Sequence, residues 1–478
     1  MDKNNRSLFL VIFTAVLGMF QFGWNTGVFN VPEKYIEHFI STVENGNTST
    51  LFIVANAAFI LGGMIGGLGA GTVAEKVGRQ KGLLFNQILV FLGVVLMSIS
   101  KDISSYPSLV IGRLFMGGAC GLFTGLVPLY VNEVAPINLR GGLGTVNQLA
   151  VTCGLLLAQI LGQKEILGGS SWPILLSLSI IPAIIQSILL PFCPESPRYM
   201  AITKNDKERS LKALRKLRGT HDVEDEYNSI VSEGSNSDSL SIKQVITASE
   251  LRKPLTIAIL MHLSQQITGI VGIFFYSSKI FRRAGISEES SSYATVGVGS
   301  VMVVMTLITI PLMDKSGRRP LHLIGMAGMT VACVLTTIAF FVAGDTTTIS
   351  GGATAFLIIS TLTFVVFFAL GPGSIPWLIT GELFATESRP AASSIATTVN
   401  WTASLIVTLV FPIIPAKKLT FVPFGIILVI LFIPLYILLP ETKNRTIEEI
   451  LVLLNKNRKP KESGGTHTSA YAQDIQDI

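Results

Sequence analysis

The sequence predicts an all-α integral membrane protein of twelve transmembrane helices, arranged as two pseudo-symmetric six-helix bundles. Three observations predict this. Only 14% of the 478 residues are charged and the mean hydropathy is +0.58, far too apolar for a soluble chain of this length. Apolar windows long enough to cross about 30 Å of hydrocarbon recur from end to end. A set of polar motifs also occurs twice, in the same order, roughly 250 residues apart. Glu133-Val-Ala-Pro-Ile-Asn-Leu-Arg140 is echoed by Glu382-Leu-Phe-Ala-Thr-Glu-Ser-Arg389, with the same step from acid to arginine. Glu75-Lys-Val-Gly78-Arg79 is echoed by Asp314-Lys-Ser-Gly317-Arg318, and Pro194-Glu195-Ser by Pro440-Glu441-Thr. Ordered repeats at one near-constant offset imply two copies of one ancestral half.

Taken in order, the first span covers 8–30 and is read as a retained helix, since no small-residue cleavage site follows it. Spans at 51–74, 82–100, 108–131, 142–163 and 172–192 complete a first bundle, residues 1–192. Residues 193–252 form a polar linker. In it, Asp206 can cap a helix with Leu211, Leu214 and Leu217 on one face and Lys207, Lys212, Arg215 and Lys216 elsewhere, stopped by Gly219. Such a helix lies either on the bundle or on anionic headgroups, or is a solvated connector. Spans at 253–283, 292–313, 321–343, 352–381, 390–413 and 420–440 make the second bundle, residues 253–440. Residues 441–478 form a polar tail.

The net charge of +6 reads as topology, not as a nucleic-acid surface. Of the 36 Lys and Arg residues, 27 fall on the face holding both termini, 8 on the other face, and Arg113 lies within a span. This bias places both termini and the linker in the cytoplasm. The sequon Asn47-Thr48-Ser49 then lies in an outward loop, where Asn47 is a candidate glycosylation site. Cys120, Cys153, Cys193 and Cys333 sit in or beside apolar spans without CxxC spacing and read as buried small hydrophobes.

Amides and broken backbone inside a span belong where they face protein or a wet cavity. Span 7 carries Ser264-Gln265-Gln266, and span 10 carries Gly371-Pro372-Gly373-Ser-Ile-Pro376-Trp377. Span 11 carries Asn400-Trp401-Thr402, and span 5 ends near Gln159. A single membrane amide also serves as interhelical glue, at about 0.6 kcal/mol. Four of them with a Trp beside a helix break point to a neutral polyol site instead, since amides both donate to and accept from hydroxyls. Trp401 is either part of that site or a packing aromatic.

The Gly371–Gly373 and Pro376 break gives span 10 a place to bend. Tyr276 is either its gate partner or an interfacial belt aromatic. The repeated charges Glu133, Arg140, Glu382, Arg389, Asp314, Arg318, Arg198 and Glu441 can pair across the two halves and hold the inner mouth shut. Alternatively they set topology and lipid contact alone.

At these motifs the chain resembles the facilitative glucose transporters of the sugar porter family, in the major facilitator superfamily. The resemblance covers residues 8–450, through Gly112-Arg113, Pro194-Glu-Ser-Pro-Arg198, Ser264-Gln265-Gln266, Gly371-Pro-Gly, Arg389-Pro-Ala-Ala, Asn400-Trp401-Thr402 and Pro440-Glu-Thr-Lys443. It implies the major facilitator fold, alternating access at the plasma membrane, and a hexose, D-glucose first, moving down its gradient. It also implies that Gln159, Gln265, Gln266, Trp377 and Asn400 contact the sugar. Four positions depart from the family pattern: Val271 and Met302 stand where Asn is usual, Ala369 where Glu is usual, and His262 where Gln is usual.

Proton-coupled relatives carry an acid in span 1 after Phe-Gly-aromatic. Here Gln21-Phe22-Gly23-Trp24 is followed by Asn25, and an amide does not titrate in the physiological range. Uniport is therefore expected. No GxxxxGK[ST] loop, metal-ligand spacing or catalytic triad occurs, so a pump, an enzyme and a resident metal or cofactor are not expected. The competing readings are a sugar sensor, a transport-impaired paralogue, or a carrier of another hexose or polyol.

Overall fold

The computed structural model describes residues 3–454 apart from 137–139, 236–239, 344–350, 386, 415–418, 444 and 446. Twelve spans follow one another. The first bundle comprises α1 (Lys3–Gly27), α2 (Thr48–Lys76), α3 (Arg79–Ile99), α4 (Tyr106–Val134), α5 (Arg140–Leu161) and α6 (Trp172–Phe192). The second comprises α7 (Arg252–Arg282), α8 (Glu288–Ser316), α9 (Arg318–Ala343), α10 (Gly351–Leu383), α11 (Arg389–Val410) and α12 (Val422–Leu438). At 17 residues α12 is the shortest, at the lower limit for a crossing. An even number of crossings returns the described chain to the face it started from, here called the termini face.

Apolar side chains point both ways. Phe59, Phe123, Phe364 and Phe384 are buried in the core, whereas Ile65, Phe85, Ile188, Ile359 and Ile433 are more than half exposed. Such a surface suits lipid rather than water. Between α2 and α4 the backbones nearly touch, and a Cβ added at Gly117 would stand 1.8 Å from Phe59 O. With no hydrophobic driving force between helices in lipid, this close approach of small residues supplies the packing.

The repeated motifs fold into one device built twice. Gly78 (φ +99°) turns the chain between α2 and α3, and Gly317 (φ +87°) does the same between α8 and α9. Glu195 accepts hydrogen bonds from the first free amides of α3, Arg79 N at 2.9 Å and Gln80 N at 3.1 Å. Glu441 caps α9 through Arg318 N at 3.0 Å and Arg319 N at 3.1 Å. Arg79 then donates to Ala74 O and pairs with Glu133 at 2.7 Å, while Arg318 donates to Met313 O and pairs with Glu382 at 3.1 Å. Among the described residues these two pairs therefore form inside each bundle, whereas the sequence allowed pairing across the two halves. Each acid lies on the fourth helix of the same half as its arginine. Arg389 donates to Phe384 O, also within its own half. The side chains of Arg140 and Asp314 lie outside the described residues.

In the linker, Asp206 caps the helix Lys207–Arg218 by accepting from Arg209 N at 3.0 Å, and Gly219 (φ +66°) ends it. Leu211 and Leu214 pack on Val223, Tyr227 and Ile230, and Leu217 joins the main core. The apolar face is thus covered by protein, which removes the headgroup-facing alternative. Arg218 ties the linker down, pairing with Glu226 at 2.6 Å and donating to Val134 O at 2.8 Å.

Candidate functional site

Two broken helices face each other in the second bundle. α7 is interrupted at Ile267–Gly269, where Gly269 has φ +99°, and α10 between Leu370 and Ile375. The second break frees backbone carbonyls that a continuous helix would use, and Gln265 takes two of them. Its Nε2 donates to Pro372 O at 2.9 Å and Gly373 O at 2.7 Å, so both amide hydrogens are committed. Asn400 on α11 donates to Gln265 Oε1 at 2.6 Å and accepts from Gln266 Nε2 at 3.0 Å.

His262, one turn before Gln265, completes the chain. Asn400 Nδ2 lies 3.1 Å from His262 Nδ1, and His262 Nε2 lies 3.2 Å from Thr380 Oγ1, which itself donates to Pro376 O. With the Thr380 hydrogen committed to Pro376, His262 donates from Nε2, leaving Nδ1 to accept from Asn400. The His262 and Trp377 rings meet edge to face with their centroids 4.7 Å apart. Sequence reasoning noted His262 only as a departure; its spacing of three and four residues from Gln265 and Gln266 is the signal that puts it on the same face.

Gln265, Gln266, Trp377 and Asn400 all line a cavity of about 80 Å³ between the two bundles. At roughly 15 Å³ per water this holds about five waters. The first bundle contributes Gln148, Thr26 and Thr152, and Trp401 also lines the cavity, packed on Phe22 and Phe59. One sector, made by Ile270, Val271, Phe274, Met302 and Phe368, is wholly apolar. Gln159 does not line the cavity. It is fully buried against Gly299 of α8, with neither amide atom hydrogen-bonded. The first bundle's lining amide is instead Gln148, three helical turns earlier on the same face of α5.

Tyr276 is 1% exposed, stacks on Phe411 and donates to Thr408 O. It is a buried packing residue between α7 and α11, not a belt aromatic. Beyond it, on the face opposite the termini, the bundles are joined by polar contacts that the sequence did not reveal. Asn30, after α1, donates to Phe274 O and Ser277 Oγ and accepts from Ser278 N. Glu33 pairs with Lys279 at 2.9 Å and with Arg282, and Glu37 pairs with Lys279 at 3.3 Å.

Three comparisons bear on what this arrangement is. The family model for sugar (and other) transporters matches residues 11–454. The human solute carrier family 2, facilitated glucose transporter member 4, is 40% identical over 463 residues, covering 93% of this chain and 90% of the relative. Member 1 from Gallus gallus is 40% identical over 464 residues, 94% of each.

The chain belongs to the sugar transporter family.

Its fold agrees with solved structures of that kind. The proton:xylose symporter XylE bound to 6-bromo-6-deoxy-D-glucose superposes with a TM-score of 0.78 at 25% identity, covering 94% of this chain and all of that one. The inward open xylose transporter XylE from E. coli gives 0.76 at 25% identity over 93% of this chain and 99% of that one. In this sugar transporter, the buried Arg113 is held by neutral groups. It donates to Asn25 O at 3.0 Å and Asn56 Oδ1 at 3.2 Å and lies over the rings of Phe29 and Phe59. The Asn25 side chain itself donates to Gln21 O and Ser179 Oγ.

Proposed function

We propose that this protein carries hexose, D-glucose first, down its gradient across the plasma membrane by alternating access, with both termini in the cytoplasm. The observation that carries the reading is the cavity between the bundles, where Gln265, Gln266 and Asn400 converge beside Trp377 and Trp401. The amides hold one another in place before any ligand enters, so little ordering remains to be done on binding. Gln266 Oε1 and the second lone pair of Asn400 Oδ1 remain for hydroxyls, and an indole face covers the apolar side of a sugar ring. The amide of Gln159, without protein partners at the α5–α8 contact, is a further group for substrate to satisfy as the bundles rock. The breaks in α7 and α10 are where the outer halves of those helices bend while the inner halves stay packed, with Gly371, Pro372, Gly373 and Pro376 as the α10 hinge and Tyr276 carried on the outer half of α7.

The test is uptake of labelled D-glucose and D-fructose in hexose-transport-deficient cells, with L-glucose as control and surface protein measured. Saturable D-glucose entry is expected; fructose entry alone would redirect the assignment, and no flux from protein at the surface would remove the hexose reading. Because Asn25 replaces a titratable acid, entry is expected to be unchanged by a protonophore at fixed membrane potential and internal pH. A clear drop there points to proton coupling.

The apolar sector has a measurable consequence. A sugar hydroxyl facing Val271 loses water without gaining a partner, so Val271→Asn is expected to strengthen D-glucose uptake, lowering KM roughly tenfold for about 1.4 kcal/mol. An unchanged or raised KM, with protein at the surface, would show that no hydroxyl meets that wall. Asn47, exposed, uses only its Oδ1 to cap α2 through Thr50 N at 3.1 Å, leaving the amide nitrogen for a glycan. Asn47→Gln is expected to migrate as a single faster band, matching glycosidase-treated wild type. An unchanged band means the sequon is unused.

A further inference from the structure

The structure assigns Glu33 as the central residue of an ionic latch that holds the outer end of the carrier closed. The assignment rests on the orientation proposed above, which makes the face opposite the termini the outer one. Glu33 opens the short helix Glu33–Val43 that follows α1, and its side chain is only 1% exposed. Among the described residues, the cations that reach it are Lys279 and Arg282, from the second half of α7 in the other bundle. They are 16% and 17% exposed, so the cluster is nearly dry. Glu37 shares Lys279, and Asn30 grips the same stretch of α7 through Phe274 O at 2.8 Å, Ser277 Oγ at 2.7 Å and Ser278 N at 3.2 Å.

This geometry suits a switch better than a permanent clasp. When the outer end opens, Glu33, Lys279 and Arg282 separate into water, and their rehydration offsets the attraction they lose. The two states therefore stay close in energy while the closed one is specified. Removing the Glu33 carboxylate alone leaves Arg282 nearly buried without that partner and Lys279 with Glu37 only, a charge imbalance that water relieves when the end opens. A neighbouring pair provides the contrast. Lys34 and Glu288 also bridge the bundles, at 2.5 Å, but their side chains are 50% and 49% exposed, and solvent-exposed pairs contribute little.

The test uses full-length protein in intact cells with Thr26→Cys, a cavity-lining position on α1, and a membrane-impermeant thiol reagent outside. Protein lacking Thr26→Cys corrects for the native cysteines. Glu33→Gln is expected to raise the labelling rate at residue 26 about tenfold or more, with Glu33→Asp in between and Lys34→Ala changing it less than about threefold. Asn30→Ala, which removes no charge, is expected to raise it severalfold. This variant covers the case in which Glu33→Gln fails to reach the surface. An unchanged rate in Glu33→Gln or Asn30→Ala, or an equal rise in Lys34→Ala, would overturn the latch. Terminal epitope tags read from outside in the same cells separate the two claims. Exposed tags contradict the orientation and the latch with it, whereas hidden tags with an unchanged rate contradict the latch alone.

Discussion

Replacing Asn400 by leucine is expected to abolish hexose uptake, lowering kcat/KM by at least about a hundredfold while the protein still reaches the surface. Asn400 is the hub of the amide chain. Its nitrogen serves Gln265 at 2.6 Å and His262 at 3.1 Å, and its oxygen receives Gln266 at 3.0 Å. Leucine has a similar volume and suits the bilayer, so the helix itself is not at risk. It would leave His262 Nδ1 without its donor in a buried site, at about 1–3 kcal/mol, leave Gln266 Nε2 only Gln265 Oε1 at 3.3 Å, and remove one direct acceptor for the sugar, a loss of similar size. Every 1.4 kcal/mol is tenfold, so two such losses give the stated magnitude. Uptake per surface molecule is the readout. Retention of more than about a tenth of wild-type kcat/KM would mean that sugar is bound elsewhere.

Gly117→Ala is expected to remove folded protein altogether, while the adjacent Gly118→Ala is tolerated. The added methyl at position 117 would lie 1.8 Å from Phe59 O and 2.7 Å from Phe59 C, both backbone atoms with no rotamer to escape into. At position 118 the nearest heavy atoms are 3.9 Å away. Ordinary overpacking costs about 1–3 kcal/mol; here α2 and α4 must part along a lipid-embedded interface that depends on close contact. Monodisperse protein on detergent size exclusion and the thermal midpoint of each variant check this. Equal behaviour of the two alanine variants would refute the packing account.

Much of the architecture was legible because hydrocarbon imposes a simple rule on a spanning helix. The expected windows match α1 to α12 to within a few residues, and even the shorter α12 was found, since its run from Val422 to Leu438 carries no charge. The repeats were legible as repeats, but not as partners. Glu195 and Glu441 act through backbone amides at helix starts, and Arg79 and Arg318 choose acids in their own half. Nothing in one-dimensional spacing separates that from pairing across the halves. Similar physics limited the site. Gln148 and Gln159 share a face of α5, yet only the first meets the cavity, because the depth of the gap between the bundles decides it. Glu33 and Arg282 lie 249 residues apart in the sequence, and only the fold brings them together with Lys279.

The central claim is that one cavity, reached alternately from two sides, moves hexose without a second driving ion. Purified protein in liposomes, with no other transporter present, tests it most directly. Labelled D-glucose is expected to enter saturably and stop when the concentrations inside and outside are equal, with the same plateau with or without a pH gradient. L-glucose is expected to stay at the level of empty liposomes. Accumulation of D-glucose above the outside concentration when a pH gradient is imposed would contradict the uniport mechanism. Entry of D- and L-glucose at equal rates would contradict a stereospecific site built from Gln265, Gln266 and Asn400.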